Sequence, residues 1–565
     1  MAAQVLTRTG YARPGTSLNF KTGTWRTRKP KHLYQIAPCH HACPAGEDPA
    51  AYLACIQAGH TQAAWETIVS VNPIPAITGR VCPHPCEAAC NRDQYDEAIA
   101  IHAVERFLGD EAIAKGWAYP VKPVDRAAPE IAIVGAGPAG LSAAYHLVKR
   151  GYRAIIFDAQ PEAGGTLRSA LPPYRLPRPL LDAELERVLA LDGITFQPHT
   201  RLGRDMHLNE LQDQYQAVFL GLGAQRSVEW SIDGVVPRDL HSGFELLQEW
   251  VDIGKVPTPK SVAVIGAGNT AVDMARVMKR AGVQEVHIIS HKPIPKPGIP
   301  LDEAMPAIER EIREALEEGV IIHEYRGIRR LILRGERVVG VELVHMKKLL
   351  QPSGRLKRIA FEGTETVLNV EQVIPAVGQV IDPRGIEILA DNRSHLRVDP
   401  WGQIEGHLGL YAGGDVTANA GTVTAAIGDG RRAAQSIDRI LQIQALPEIV
   451  ENKPIPFEKL NMHYYELASR VQEPTLPVEQ RLGEEEITTS LSAPLISKES
   501  QRCFSCGNCL ACDNCWMLCP DSAILKTKEL ASDGSHYLFD YDYCKGCGLC
   551  ESECPCGFIE MVDDL

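Results

Sequence analysis

Residues 91–502 contain no cysteine, although the chain carries 17. Six lie between Cys39 and Cys90, Cys55 among them, and eleven between Cys503 and Cys556. That bunching in a long chain excludes a small secreted disulfide scaffold. No uninterrupted apolar run reaches 18 residues, so no membrane span is expected. Positive charge is short, 58 Lys and Arg against 71 Asp and Glu, and the net charge of −13 argues against a general nucleic-acid binder. The first 46 residues hold seven Lys or Arg, no acid and no apolar core of a secretory signal. Aromatics are only 6%, yet 45% of residues are hydrophobic and 23% charged, which is ordinary globular composition. A chain of 565 residues suggests about four domains. The expectation is a cytoplasmic protein with metal-binding thiolates at both ends of a cysteine-free middle.

Residues 1–37 read as an extended arm broken by Pro14, Pro30, Gly10, Gly15 and Gly23, a solvated tail resting loosely on a neighbour. Residues 38–126 read as a helical domain, with Asp48 as N-cap and Pro49 in the first turn of one helix. Short apolar runs at 131–134 and 155–157 flank a glycine loop and a helical stretch, which is a βαβ unit. The arrangement returns at 262–265 and 286–289. One nucleotide-binding unit is therefore expected over 127–235 with 382–444, and a second over 236–381. Residues 445–500 read as a surface-wrapping linker, and 501–565 as a compact Cys-rich domain.

Gly135-Ala136-Gly137-Pro138-Ala139-Gly140 matches GxGxxG between a strand and a helix, and Asp158 ends the next strand. The glycines allow a tight turn, close approach of a pyrophosphate and close helix–strand packing, while the acid suits a ribose hydroxyl. Gly266-Ala267-Gly268-Asn269-Thr270-Ala271, followed by Asp273, repeats the pattern with alanine for the third glycine. At the C-terminal end, Cys509-x2-Cys512-x2-Cys515-x3-Cys519-Pro520 and Cys544-x2-Cys547-x2-Cys550-x3-Cys554-Pro555 each fit the run of two-cluster ferredoxins. In that arrangement the fourth Cys of each run ligates the other cube. Cys509, Cys512, Cys515 and Cys554 are thus expected on one [4Fe–4S] cluster, and Cys544, Cys547, Cys550 and Cys519 on the other. Cys503, Cys506 and Cys556 are left over. They are read as buried thiols, with a frame shift of the first run to Cys503, Cys506 and Cys509 as the alternative. From residue 503 on, 11 acids face 3 bases, which would steer towards a basic partner patch.

Several stretches resemble flavoproteins with two dinucleotide-binding domains. Tyr411-Ala412-Gly413-Gly414-Asp415, then Thr422, Val423 and Ala426, then Arg431, resembles their second FAD fingerprint. Gly164, Gly165 and Leu167 resemble a loop near the flavin, and Pro173-Tyr174-Arg175-Leu176-Pro177 a neighbouring motif. The resemblance implies FAD in the first unit and NADH or NADPH in the second. After the second unit's next strand, relatives that use NADPH carry Tyr-Arg-Arg, whereas this chain has Ser290-His291-Lys292. The missing arginines favour NADH over the 2′-phosphate form. Gly378, within Val377-Gly378-Gln379, is read either as approaching the flavin ring or as a plain strand-end turn.

Cys39-x3-Cys43-Pro44 and Gly79-Arg80-Val81-Cys82-Pro83-x2-Cys86-x3-Cys90 complete a resemblance to the glutamate synthase small-subunit family. It covers roughly residues 35–450. The fold implied is α/β: two Rossmann-like domains, preceded by an α-helical iron–sulfur domain and followed by a bacterial-type ferredoxin domain. Carried across, one N-terminal [4Fe–4S] cluster takes Cys43, Cys82, Cys86 and Glu105. A second takes Cys39 and Cys90, but two cysteines that precede Cys39 in relatives are absent here. That cluster is either missing or completed by His40, His41 or Cys55.

These parts make a relay. NAD(P)H carries electrons in pairs and the clusters carry one each, so a flavin must stand between them. No catalytic acid or base is assigned. The expected function is an NAD(P)H:acceptor oxidoreductase serving a partner redox protein. The ferredoxin region, with Cys503-Phe504-Ser505-Cys506-Gly507-Asn508-Cys509, resembles stand-alone NAD(P)H:acceptor reductases, and that resemblance implies dissimilatory sulfite reductase as the partner, in sulfur metabolism. A glutamate synthase small subunit, a subunit of a 2-oxoacid:ferredoxin oxidoreductase and an electron-bifurcating subunit are the alternatives. A homodimer is one option for assembly.

Overall fold

Two all-parallel sheets form where the apolar runs predict them. The computed structural model describes residues 19–564 apart from 34, 233, 238–239, 351–355, 391–393, 420, 449–451, 482 and 532–533. The first sheet runs in the order Leu410–Ala412, Val218–Leu220, Glu130–Val134, Arg153–Phe157, Ile194–Gln197. The second runs Gln372–Pro375, Ser261–Ile265, Glu285–Ile289, Ile321–His323. Their central strands are buried on both faces by crossover helices, which is why they read as continuous Val and Ile rather than as alternation. The helix Pro138–Val148 packs against the long helix Val423–Leu441 beside the first sheet. The fold class is thus the α/β architecture expected from the sequence.

The second unit carries an element that periodicity did not reveal. Strands Arg326–Arg334, Arg337–Leu350 and Leu356–Leu368 form an antiparallel three-stranded ribbon. Much of it is half-exposed on both faces, so it lacks the apolar alternation of a packed sheet.

The helical region is built around the pair Pro75–Val81 and Ile101–Lys115. The pair approaches closely because glycine faces it from both sides. A Cβ on Gly79 would lie 2.4 Å from the Arg106 amide nitrogen, and one on Gly109 2.2 Å from the Ala76 nitrogen. Asp48 caps the helix Pro49–Gln57 by accepting from the Ala51 amide at 3.1 Å, with Pro49 in its first turn.

The arm is not a loose tail over its described part; residues 1–18 lie outside the described residues. Arg28–His32 forms a strand that pairs antiparallel with Ile559–Asp563, the last strand of the Cys-rich region. The pairing joins residues more than 500 positions apart, so nothing local signals it. Residues 445–500 are held by ion pairs rather than simply draped. Arg470 pairs with Glu87 at 2.6 Å, Glu486 with Arg80 at 2.8 Å and Arg106 at 3.0 Å, and Arg481 with Glu317 at 2.6 Å.

Glu184, on the helix Arg178–Leu189, is fully buried and accepts from the Ile77 amide at 2.9 Å. Its Oε1 has no hydrogen-bond partner among the described residues, and burial pushes its carboxyl up to about 8. A raised acid holds its proton more tightly in the folded state. Its contribution is complete below the unfolded value near 4.5 and fades as pH climbs through about 8. Glu184→Gln is expected to match the wild type at pH 5 and to exceed it in unfolding free energy at pH 9 by roughly 1–3 kcal/mol. Paired denaturation curves at the two pH values check this; equal gaps at both would refute it.

Candidate functional site

Both glycine loops open into one cavity of about 390 Å³, inside the size range of small-molecule sites. Gly135 turns at φ 105°, and a Cβ on Gly140 would lie 1.9 Å from the Gly135 carbonyl oxygen. Only glycine fits that helix–strand crossing. At the second loop, Ala271 takes the third place, and its Cβ would sit 3.1 Å from one built on Gly266. This crossing is wider, which accounts for the alanine.

The cavity is lined by Gly135, Gly137, Pro138, Ala139, Asp158, Gly165, Leu167 and Arg175 from the first unit. Gly414, Asp415, Thr422, Val423 and Ala426 close it from the returning chain, and Asn269, Thr270 and Asp273 from the second unit. Gly140 and Gly164 lie beneath it; the Gly164 amide donates to the Ala136 carbonyl at 2.9 Å. Gly266, Gly268 and Ala271 shape the second loop without lining the cavity. A Cβ on Gly268 would meet nothing within 4 Å, so that loop face is open. Gly378 has φ 126° and accepts from the Val228 amide at 3.1 Å, beside the cavity-lining Gln379.

Helices starting at Pro138, Asn269 and Val423 point their N-termini at this space, so amide donors and positive dipole ends converge on it. Asp158 accepts from the amides of Ala136 at 2.7 Å and Gln160 at 2.8 Å, which fixes the first loop. Asp429 accepts from the Gly414 amide at 2.9 Å, and Asp415 beside it keeps its carboxyl turned to the cavity. Burial and the Asp429 charge raise the Asp415 carboxyl above its usual range.

Arg175 and Asp273 were both expected to contact cofactor. The structure pairs them with each other: Nη1 of Arg175 donates to both Asp273 oxygens at 2.8 Å, and its Nε lies 3.2 Å from Glu311. Arg276, fully buried, adds bonds to Glu311, to Glu314 at 2.8 Å and to Glu318 at 2.7 Å. The pair ties the segment after the first flavin-type loop to the helix Asn269–Arg280 of the second unit.

His291 and Lys292 do not line the cavity; they sit at the end of the strand Glu285–Ile289. Burial and the positive charges of Arg358, Lys292 and Lys348 push His291 down to about 4. Arg358 and Lys348 are cross-strand partners on the ribbon. The cationic side chains missing from the loop itself are thus brought to the same place by an element far along the chain.

None of the 17 cysteines, all of them among the described residues, is paired in a disulfide. Among the described residues no three His, Cys, Asp or Glu side chains converge on a point that would hold one metal ion. The thiols instead surround volumes, as a cube with an iron at each ligated corner requires. Cys519, Cys544, Cys547 and Cys550 line one small cavity, and Cys509, Cys512, Cys515 and Cys554 another, with Cys556 also in its wall. These are the two crossed sets expected from the spacing. Near the helical core, His84 stands between Cys82 and Cys86 and its Nε2 lies 2.9 Å from Glu105, while the helix Pro38–Ala42, which Cys43 ends, packs against the helix Pro85–Ala88 that carries Cys86, so Cys43, Cys82, Cys86 and Glu105 gather in one place. The Cys82 Sγ lies 3.3 Å from Thr424 Oγ1, and its neighbours Val81 and Pro83 line the dinucleotide cavity. This set therefore abuts the large cavity.

Glu105 is buried and held by Asn72 Nδ2 at 3.1 Å, Thr78 Oγ1 and His84 Nε2 at 2.9 Å. Burial pushes its carboxyl up to about 7. Glu47, also buried, accepts from Asn72 at 2.7 Å and is raised by burial and by Glu105. Sequence reading missed Glu47, Thr78 and His84; the only local signal was the Asn72-Pro73 turn.

Comparisons with known proteins agree with this arrangement. The profile of the pyridine nucleotide-disulphide oxidoreductase family matches residues 129–430. The dihydropyrimidine dehydrogenase domain II, 4Fe-4S cluster, profile matches 34–117, and a 4Fe-4S binding domain profile matches 537–560. The NADP(+)-dependent formate dehydrogenase subunit beta of Moorella thermoacetica is 34% identical over 513 residues, 84% of this chain and 71% of that protein. The NADPH-Fe(3+) oxidoreductase subunit beta of Geobacter sulfurreducens is 31% identical over 527 residues, 85% and 77% of the two chains. The glutamate synthase [NADPH] small chain of Escherichia coli is 29% identical over 432 residues, 72% and 89%.

Arg175→Met would strand Asp273 and Glu311 as buried charges. It is expected to lower stability by about 3–5 kcal/mol. The double variant R175M/D273N is expected to recover part of that loss. Urea unfolding of the cycle checks it; a double variant no better than R175M would refute the pairing.

Proposed function

This chain belongs to the pyridine nucleotide-disulphide oxidoreductase family, and from that premise we propose that it passes electrons between NADPH and a partner redox protein. The oxidoreductase uses FAD, NAD(P)H and [4Fe–4S] clusters. When bound, the flavin exchanges electron pairs with the nicotinamide and single electrons with the clusters. The observation that carries the reading is adjacency: Cys82 Sγ lies 3.3 Å from Thr424 Oγ1, next to Val423, which lines the cavity where both dinucleotide loops meet.

The chain's own residues position and exclude. The first glycine loop, Asp158 and the Pro138 helix end hold a dinucleotide pyrophosphate and ribose, and Asp415 takes a hydroxyl of the flavin's chain. Asn269, Thr270 and the open Gly268 face receive the nicotinamide dinucleotide. Cys43, Cys82, Cys86 and Glu105 hold the cluster nearest the flavin, and the two crossed thiol sets hold those of the ferredoxin region. No side chain is asked to move a proton.

The sequence favoured NADH. Gathering Lys292, Lys348 and Arg358 around His291 favours NADPH instead, because a 2′-phosphate needs such charge. For the partner, two relatives are named as beta subunits and one as a small chain. A separate redox subunit is accordingly the acceptor or donor. Dissimilatory sulfite reductase is the proposed one, with formate dehydrogenase, glutamate synthase and 2-oxoacid oxidoreductase subunits as the competing arms of the test. Thiolate-held clusters suit the reducing cytoplasm.

Anaerobically purified protein should be yellow and bleach on addition of NADPH. NADPH is expected to be preferred by kcat/KM, and K348A/R358A to reduce that preference by roughly tenfold or more while leaving NADH turnover nearly unchanged. A protein without chromophore, or one that NADH reduces equally well, would overturn the reading. Mixing the reduced protein with each candidate partner and following its re-oxidation identifies the acceptor.

A further inference from the structure

Two cysteines left over by every motif stand next to two that lack a complete set. We infer that Cys503 and Cys506 join Cys39 and Cys90 in a fourth thiolate quartet that holds a [4Fe–4S] cluster, so that one site is shared between the two ends of the chain. The inference rests on the iron–sulfur reading above and adds a site to it.

Cys39 begins the helix Pro38–Ala42, and Cys90 is the N-cap of the turn Asn91–Gln94. Asn91, the residue after Cys90, reaches Cys506 Sγ at 3.6 Å, and Arg92 bonds the carbonyl of Arg502, the residue before Cys503. Cys39, Cys90 and Cys503 pack against the same apolar core. The loop that carries Cys503 and Cys506 is thereby held against Cys39 and Cys90. Of the alternatives, His40 pairs with Asp48 at 3.5 Å, Cys55 packs on the helical core from the helix Pro49–Gln57, and His41 is exposed in the last turn of the helix Pro38–Ala42.

The loop that carries the pair is built into place. Gln57 donates to the Ser500 carbonyl at 2.6 Å. Arg502, buried, bonds Glu499 at 2.6 Å, Asp96 at 3.2 Å and the Glu97 carbonyl at 2.6 Å. Arg92 reaches the Arg502 carbonyl and stacks over Phe504 at 4.8 Å. Ser505 is forced to φ 51°, in the left-handed region that a side chain avoids, and in that turn its amide donates to Cys503 Sγ at 3.4 Å. The same amide-to-sulfur bond occurs at Cys82 from His84, at Cys519 from Ala523 and at Cys554 from Phe558, each at 3.3 Å and each a cysteine of an expected cluster. Asn91 Nδ2 adds a contact to Cys506 at 3.6 Å. Donors aimed at sulfur stabilise thiolates and tune the clusters they hold.

Position supports the assignment. On one side, the helix Pro38–Ala42, which carries Cys39, packs against the helix Pro85–Ala88, which carries Cys86 of the set beside the flavin cavity. On the other, Gly507-Asn508 alone separates Cys506 from Cys509 of the ferredoxin region, and the Gly507 amide donates to the Cys556 carbonyl at 2.8 Å. A Cβ on Gly507 would lie 2.2 Å from the Gln35 carbonyl oxygen, so the two chain ends meet there with no room to spare. The quartet fills the interval between the two halves of the relay.

Iron, acid-labile sulfide and FAD measured on the anaerobically purified full chain test this independently of turnover. The wild type is expected to hold about 16 iron per chain, four per cube. C39S, C503S and the double variant C39S/C503S are each expected to lose the same four or so, with FAD content unchanged, and to lose one cluster from the Mössbauer or reduced EPR spectrum. C55S is expected to lose none. About 12 iron in the wild type, or losses that add in the double variant, would overturn the assignment. Native alkylation of the wild type covers the case in which a variant fails to fold. Cys503 and Cys506 protected together with Cys39 support the quartet, and their labelling while Cys82 and Cys86 stay protected refutes it.

Discussion

A buried ionic clamp sets where everything else can sit. Arg92 and Arg502, both nearly inaccessible, share Asp96, and Arg502 takes Glu499 and the carbonyls of Glu97 and Ala468 as well. Two guanidinium groups out of water are tolerable only with a full set of acceptors. Meeting that demand fixes the C-terminal segment against the helical region to within a hydrogen bond. The loop at 503–506 lands against Cys39 and Cys90 as a result, and the ferredoxin region follows at fixed distance from the flavin cavity.

A relay of single-electron carriers depends on such rigidity more than on acid–base groups. The large cavity shows the same economy: glycines, helix ends and backbone amides do the holding, and the buried acids near it serve to fix loops. The buried charges of the second unit, Arg175 and Arg276 with Asp273, Glu311, Glu314 and Glu318, stitch two dinucleotide units into one site.

What could be read from the sequence was what is local. The strands at 130–134 and 261–265, the glycine turns and the paired ferredoxin runs lie within windows of a few tens of residues, and each is dictated by its own periodicity or spacing. What escaped depends on distant encounters. The ribbon's outer strands, Arg326–Arg334 and Leu356–Leu368, are half-exposed or exposed and leave no alternation, and only the strand between them buries Val338, Val341 and Leu343. Its Lys348 and Arg358 reach His291 only in three dimensions, so the missing arginines of the loop looked like a missing charge. Glu105 could be placed only by resemblance, and its neighbours Glu47, Thr78 and His84 are ordinary polar residues until folded around it. Cys503 and Cys506 looked surplus because their companions lie more than 400 positions earlier.

The strand Arg28–His32 completes a sheet whose other member, Ile559–Asp563, is made more than 500 residues later. At ribosomal rates of 5–20 residues per second, roughly half a minute to two minutes separate their emergence. Throughout that interval the early strand has an unsatisfied edge, while the helical and dinucleotide regions are already free to form. Closure of that sheet therefore waits for the strand Ile559–Asp563, and a nascent chain halted before that strand leaves the edge open to a chaperone or to a neighbouring copy.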